Sequence, residues 1–197
     1  MCGIFANISS VIGNVQDLKR NGDKCNHRGP DSTKELYIHN GNYHVYFLFH
    51  RLAINGLNPE SDQPLNISQF PNYTLICNGE IYNYKQLAQE YDYNLETDSD
   101  CEIILHLYSN NSISSFINKL DGVFSFILYD STTSKITIGH DAFGIRPLYY
   151  TTENGMFSFS SEMKCLTENN DNVQFYPPGS YSEIDLNDFS INTHKFY

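Results

Sequence analysis

Apolar residues recur along this chain mostly with the two-residue period of a strand. Residues 43–50 show it most clearly, with Val45, Phe47 and Phe49 on one face and His44, Tyr46, Leu48 and His50 on the other. Residues 2–9 open with a short apolar run through Ile4, Phe5, Ala6 and Ile8. Residues 73–77 and 123–129 are nearly continuous apolar stretches, the pattern of strands covered on both faces. Residues 135–141 set Ile136 and Ile138 against Thr137 and Gly139, which predicts a hairpin with 123–129. Residues 148–151 and 156–160 flank Asn154-Gly155, a strong hairpin signal. Two weaker strands follow the Pro177-Pro178-Gly179 turn.

Helical signals are fewer and shorter. A polar helix is expected through 16–20, and others over 83–91, over 114–120 and from Ser161. Ser99 and Glu102 have the spacing of a capping box, starting a helix that gathers Ile103, Ile104, Leu107 and Tyr108 on one face. Asp100 then falls in its first turn, where the helix dipole favours a carboxylate by a few tenths to about 1 kcal/mol. Residues 27–31, His-Arg-Gly-Pro-Asp, read as a turn whose His27 and Arg28 are solvated. Residues 56–71, broken by Pro59, Pro64 and Pro71, read as a long loop of the kind that is a functional lid or disordered. No repeat or linker interrupts the pattern, so one α+β domain is expected over 1–197.

Charge and composition narrow the function. The formal net charge is −11 and no Lys/Arg cluster offsets it, which makes nucleic acid and anionic membrane poor partners. No apolar run reaches membrane-spanning length. Five cysteines without a CxxC pair suit a reducing compartment and argue against a disulfide framework or a zinc knuckle. The expectation is a soluble, cytosolic protein with no metal site.

Candidate chemistry begins at Cys2. Removal of Met1 would place a thiol, with pKa of about 8.5, and a free α-amine, of about 7.7–8.0, on one residue. Nucleophile and general base would then sit together. The competing reading is a small hydrophobe at the start of a strand. Asn78-Gly79 reads as a hairpin turn or, since a helix rather than a strand follows, as an oxyanion hole of side-chain amide and backbone N–H. Arg51, just past an aromatic strand, is a surface charge or a planar fork for a carboxylate.

Taken in order, MCGIF, HRGPD, HRLAI, NGEIYNY, SDCEII, LDGVFSFILYD, GIRPLYY, FSFSSEMKCL and PPGSY resemble the class II, N-terminal-nucleophile glutamine amidotransferase domain of asparagine synthetases over nearly the whole chain. The resemblance implies a four-layer αββα sandwich of two antiparallel sheets between helices. It implies Cys2 as nucleophile on the glutamine side-chain amide and its α-amine as base. Asn78 and Gly79 would bind the oxyanion, Arg51 the α-carboxylate and Asp100 the α-ammonium. Backbone groups near Leu52, Ile54 and Glu80 would complete the pocket, and a thioester would release glutamate with water. Three positions depart from the family pattern: Gly56 where Asp is usual, His140 where Arg is usual, and Ser32-Thr33-Lys34 where a small residue or Gly commonly follows HRGPD.

The family also implies a synthetase domain binding ATP and Mg, and none is expected here because no Gly-rich phosphate loop occurs. The chain is therefore expected to need no cofactor, to make no asparagine alone, and to supply ammonia to a synthetase domain or subunit or to act as a glutaminase. Oligomeric state is left open. A non-catalytic regulatory module on the same fold and an amidotransferase of another branch are the alternatives.

Overall fold

The computed structural model describes residues 1–153, 155–167 and 172–197. Its elements run β1 (Gly3–Ser9), α1 (Val15–Gly22), a 3₁₀ turn (Asp23–Arg28), β2 (Ser32–Asn40), β3 (Tyr43–Arg51), a 3₁₀ turn (Pro59–Ser61) and β4 (Tyr73–Ile81). Then come α2 (Tyr84–Glu90), α3 (Glu102–Asn110), α4 (Ile113–Phe116), a 3₁₀ turn (Ile117–Lys119), β5 (Gly122–Asp130) and β6 (Lys135–His140). The chain closes with β7 (Tyr149–Glu153), β8 (Met156–Ser160), a 3₁₀ turn (Met163–Cys165), β9 (Gln174–Phe175), β10 (Ser180–Asp185) and β11 (Ile191–Lys195).

Strand alternation builds the layers. One sheet has the order β2-β3-β1-β8-β7-β9 and the other β11-β10-β6-β5-β4, and every pairing is antiparallel. Between them lie Ile4, Ala6, Ile8, Val45, Phe47 and Phe49 from the first sheet against Ile76, Ile127, Ile136 and Ile138 from the second. The opposite face of β1 and β3 buries Phe5, Tyr46 and Leu48 against Leu18 of α1 and Cys25 and Cys165 of the 3₁₀ turns. The outer face of β4 and β5 buries Leu75, Cys77, Phe124 and Phe126 under α2, α3 and α4. Helix, sheet, sheet, helix is the four-layer αββα sandwich that the resemblance implies.

Several local expectations are corrected. Strand β2 is missing from the sequence reading. It is an edge strand, polar at Ser32-Thr33-Lys34-Glu35, and its position comes from pairing with β3 rather than from apolar alternation. Asn78-Gly79 is no turn: both residues lie inside β4, opposite Ser125 and Phe124 of β5. Ser99 is no side-chain cap: α3 begins at Glu102 after Cys101, and Asp100 sits in the turn before it. The Glu102 carboxylate instead reaches back to the N–H groups of Glu96 and Thr97, each at 2.7 Å, and also meets Thr97 Oγ1 and His106 Nε2.

The 56–71 stretch is ordered against the second sheet. Ser61, Gln63, Leu65 and Ile67 are buried, and Leu65 bridges Leu75. Asn154 lies outside the described residues, but the hairpin it signalled forms, with Glu153 opposite Met156 and Gly155 at φ +76°.

Candidate active site

Register decides where Cys2 goes. Gly3 pairs with His50, so the residue before β1 lies beside the end of β3, where Arg51 and Leu52 follow. The Cys2 sulfur accepts from Leu52 N–H at 3.4 Å and lies 3.6 Å from the Leu52 carbonyl. Burial pushes the Cys2 thiol up, while the Leu52 N–H and the nearby positive N-terminus partly offset that rise. The thiol is therefore neutral near pH 7 and needs a base to attack anything.

The loop at 27–31 holds this residue in place. Arg28 is not solvated: its guanidinium is largely buried, with Nε donating to the Cys2 carbonyl at 2.9 Å and Nη1 lying 3.4 Å from Glu162. His27 stays half exposed, 3.0 Å from the same carboxylate. Asp31 accepts from Ala53 N–H at 2.8 Å. Gly29 allows the close approach, since a Cβ there would fall 2.2 Å from the His50 carbonyl oxygen.

The second wall of the cleft is the free edge of β4. Strand alternation points the N–H groups of Leu75, Cys77, Gly79 and Ile81 away from β5. Leu75 donates to Leu65, Cys77 to the Gln63 side chain, and Ile81 to Asp100 at 2.6 Å. The Gly79 N–H has no partner among the described residues and faces the cleft. Beside it, the buried Asn78 side-chain nitrogen is likewise unpartnered among them. Two free donors on adjacent residues of a rigid strand suit a developing oxyanion. Only glycine fits at 79, because a Cβ would meet the Val123 oxygen at 2.6 Å and Phe124 Cβ at 2.7 Å.

Asp100 is 4 % exposed and pairs with no cation among the described residues. Burial pushes its carboxyl up, the Ile81 and Asn55 hydrogen bonds pull it back, and Glu80 adds to the rise. A buried carboxylate in this state gains from an incoming ammonium.

Arg51 is buried but not free. Its terminal nitrogens donate to Asp62 and to the carbonyls of Asn55, Gly56 and Asn58, so its fork organises the 55–62 loop. Burial alone would raise the Asp62 carboxyl, but Lys34 and Arg51 outweigh it and hold the group below its usual range. Gly56 adopts φ +59°, and a Cβ there would lie 2.3 Å from Ser61 Oγ, so this loop could not carry the family's Asp unchanged. At the position where the family pattern has Arg, the His140 ring nitrogens lie 3.1 Å from the Tyr176 carbonyl and 2.8 Å from the Arg146 carbonyl, and a neutral ring donates to one of the two.

All eight expected site residues, Cys2, Arg51, Leu52, Ile54, Asn78, Gly79, Glu80 and Asp100, line one cleft. Asn55, Ser61, Gln63 and Arg146 line it as well and were assigned no role from the sequence. Arg146 reaches Glu80 at 3.5 Å and is carried by a turn whose amides bind Asp141. The GIRP string carried a signal for it, whereas Asn55, Ser61 and Gln63 sit in a loop with no periodicity to place them. Among the described residues no three His, Cys, Asp or Glu side chains converge as a metal site, and no helix is long and apolar enough to cross a membrane.

The family model for the glutamine amidotransferase domain matches residues 1–190. Proteins named asparagine synthetase (glutamine-hydrolyzing) from Pongo abelii and Homo sapiens are 39 % and 38 % identical over 195 residues, covering 94 % of this chain and 34 % of their own length. A probable asparagine synthetase of Acanthamoeba polyphaga mimivirus is 37 % identical over 166 residues, covering 83 % of this chain and 30 % of its own length. The chain thus spans about a third of these relatives. The fold recurs in the glutamine phosphoribosylpyrophosphate amidotransferase of B. subtilis, at a TM-score of 0.80 and 19 % identity, over all of this chain and 49 % of that one. With the family model running through nearly every residue, this chain belongs to the class II glutamine amidotransferase domain family.

Proposed function

We propose that this chain hydrolyses glutamine to glutamate and ammonia. The observation that carries the reading is one cleft holding a thiol, two oxyanion donors unpartnered among the described residues, and a buried carboxylate with no cation among them. Glutamine fills it with its α-ammonium on Asp100 and its side-chain amide at Cys2. Its α-carboxylate reaches Arg51 by taking over contacts that residues 55–62 now make. Backbone at Leu52, Ile54 and Glu80 lines the remaining surface.

The Cys2 sulfur adds to the amide carbon while its proton passes to the Cys2 α-amine, and Asn78 and Gly79 receive the oxyanion. Collapse breaks the C–N bond, the amine returns the proton, and ammonia leaves a thioester. Water then cleaves the thioester to glutamate and restores the thiol. This route requires that Met1 be removed, because the Cys2 nitrogen is otherwise a peptide. Met1 is 48 % exposed at the mouth of the cleft, within reach of an aminopeptidase. The names of the relatives support a synthetase as the acceptor of the ammonia.

The experiment is glutamate release from glutamine by chain whose intact mass shows loss of Met1, with Cys2→Ala as control. Turnover abolished by the substitution supports the reading. Glutamine binding without turnover by the processed chain would favour the regulatory module instead. Release of ammonia or amine from asparagine or from other γ-glutamyl compounds, but not from glutamine, would point to an amide hydrolase with a different acyl group.

A further inference from the structure

The free edge of β4 carries more information than its two open donors. Segment 63–65 runs alongside it like a partial strand. Leu65 exchanges both backbone hydrogen bonds with Leu75, at 2.8 and 2.9 Å. Two residues on, the partner is no longer backbone. The Gln63 side chain accepts from Cys77 N–H at 2.5 Å and donates to the Cys77 carbonyl at 3.2 Å. A primary amide presents the same acceptor–donor pair as a peptide, so it completes one rung and then ends. The following rung, at Gly79, stays open. Beyond it Asp100 closes Ile81.

We infer that Gln63 is a positioning residue of the oxyanion hole, holding the β4 edge at Cys77 while leaving the Gly79 N–H free; this rests on the glutaminase reading above. A backbone strand in its place would continue to pair and would occupy Gly79. An apolar side chain would leave the buried Cys77 N–H and C=O unpaired, and β4 would shift to find partners for them. Gln63 is buried and lines the cleft beside Cys77, Asn78 and Gly79, so its amide has no exchange with bulk water to fall back on.

Two measurements on the processed chain test this. Amide hydrogen exchange of the wild type, which needs no activity, should show a slow Cys77 amide and a fast Gly79 amide. In Gln63→Met the Cys77 amide should lose protection. The variant's kcat should fall roughly 10- to 100-fold, less than the roughly 10²–10³ expected for deleting a donor outright. Its KM for glutamine and its rate of Cys2 alkylation by iodoacetamide should stay within about threefold of wild type, because neither depends on an oxyanion. A protected Gly79 amide in the wild type overturns the inference, as does a wild-type kcat in Gln63→Met. So does a parallel loss of kcat, substrate affinity and alkylation rate, which marks a purely structural role. The expected exchange pattern with no glutamate release would instead sink the glutaminase reading and leave the open rung standing.

Discussion

Replacing Asp100 with asparagine separates what this residue costs the fold from what it gives the substrate under the proposed function. Asn keeps the shape and one acceptor for the Ile81 N–H, now bonded at 2.6 Å, but removes the charge. Asp100 is almost fully buried with no cation paired to it among the described residues, and burial raises its carboxyl above the usual range. An acid raised in the folded state favours folding most below its unfolded pKa, about 3.9, and that advantage is lost as pH rises through the folded value. At pH 7 the wild type therefore bears the cost of an uncompensated charge, and Asp100→Asn should melt no lower than wild type. Below about pH 4 the difference should vanish, because both side chains are then neutral. Toward glutamine the sign reverses. A charged hydrogen bond to the α-ammonium contributes about 1.5–3 kcal/mol, so KM should rise roughly 10- to 150-fold with a smaller change in kcat. Thermal melts at pH 7 and pH 4, together with initial rates over a range of glutamine concentrations, read both effects. An unchanged KM, or a clear loss of stability confined to pH 7, would refute the reasoning.

Other outcomes follow from the same geometry. Asn78→Ala removes one oxyanion donor and should lower kcat by roughly 10²–10³-fold with KM nearly constant, measured by steady-state glutamate release. Gly79→Ala forces a methyl to within 2.6 Å of the Val123 oxygen and should cost about 1–3 kcal/mol in urea unfolding as well as activity. In chain that retains Met1, alkylation of the half-buried Cys2 should climb about tenfold per pH unit through pH 9, and a plateau below pH 8 would contradict the raised thiol. Glu102 is opposed by burial but held below its usual range by His106, Thr97 and two backbone N–H groups. Its stabilisation is thus present above the unfolded pKa of about 4.3 and lost as pH falls through the folded value. Glu102→Ala should cost about 3–5 kcal/mol in denaturant unfolding at pH 7 without altering KM.

The strands that pack on both faces were legible because their environment is written into adjacent residues. Tyr43–Arg51 alternates between two cores, and the apolar runs of β4 and β5 are covered on each side. Strand β2 was not legible, since an edge strand is held by hydrogen bonds to its neighbour and can be polar along its length. Asn78-Gly79 misled in the local sense. The dipeptide favours a turn in isolation, but nine register pairs with β5 keep it extended. Ser99 and Glu102 had the capping spacing, yet the Glu102 carboxylate binds the Glu96 and Thr97 N–H groups and His106, while the Ser99 N–H that a capping box would use donates to Thr97 Oγ1.

At the site the division is similar. The sequence by itself determined the residue types: a thiol at position two, an Asn-Gly pair, an Arg after HRLAI and an Asp before the third helix. It also determined, through nine strings in order, the family to which they belong. Only the tertiary structure decided which groups are free to act. Arg51 is engaged by its own loop, Arg28 is buried against Cys2, and Gln63 ends a strand edge one rung short of Gly79. The reason is that availability is a matter of hydrogen-bond accounting among segments far apart in the chain. No local pattern of apolar and polar residues records which donor is left over once the sheets have paired.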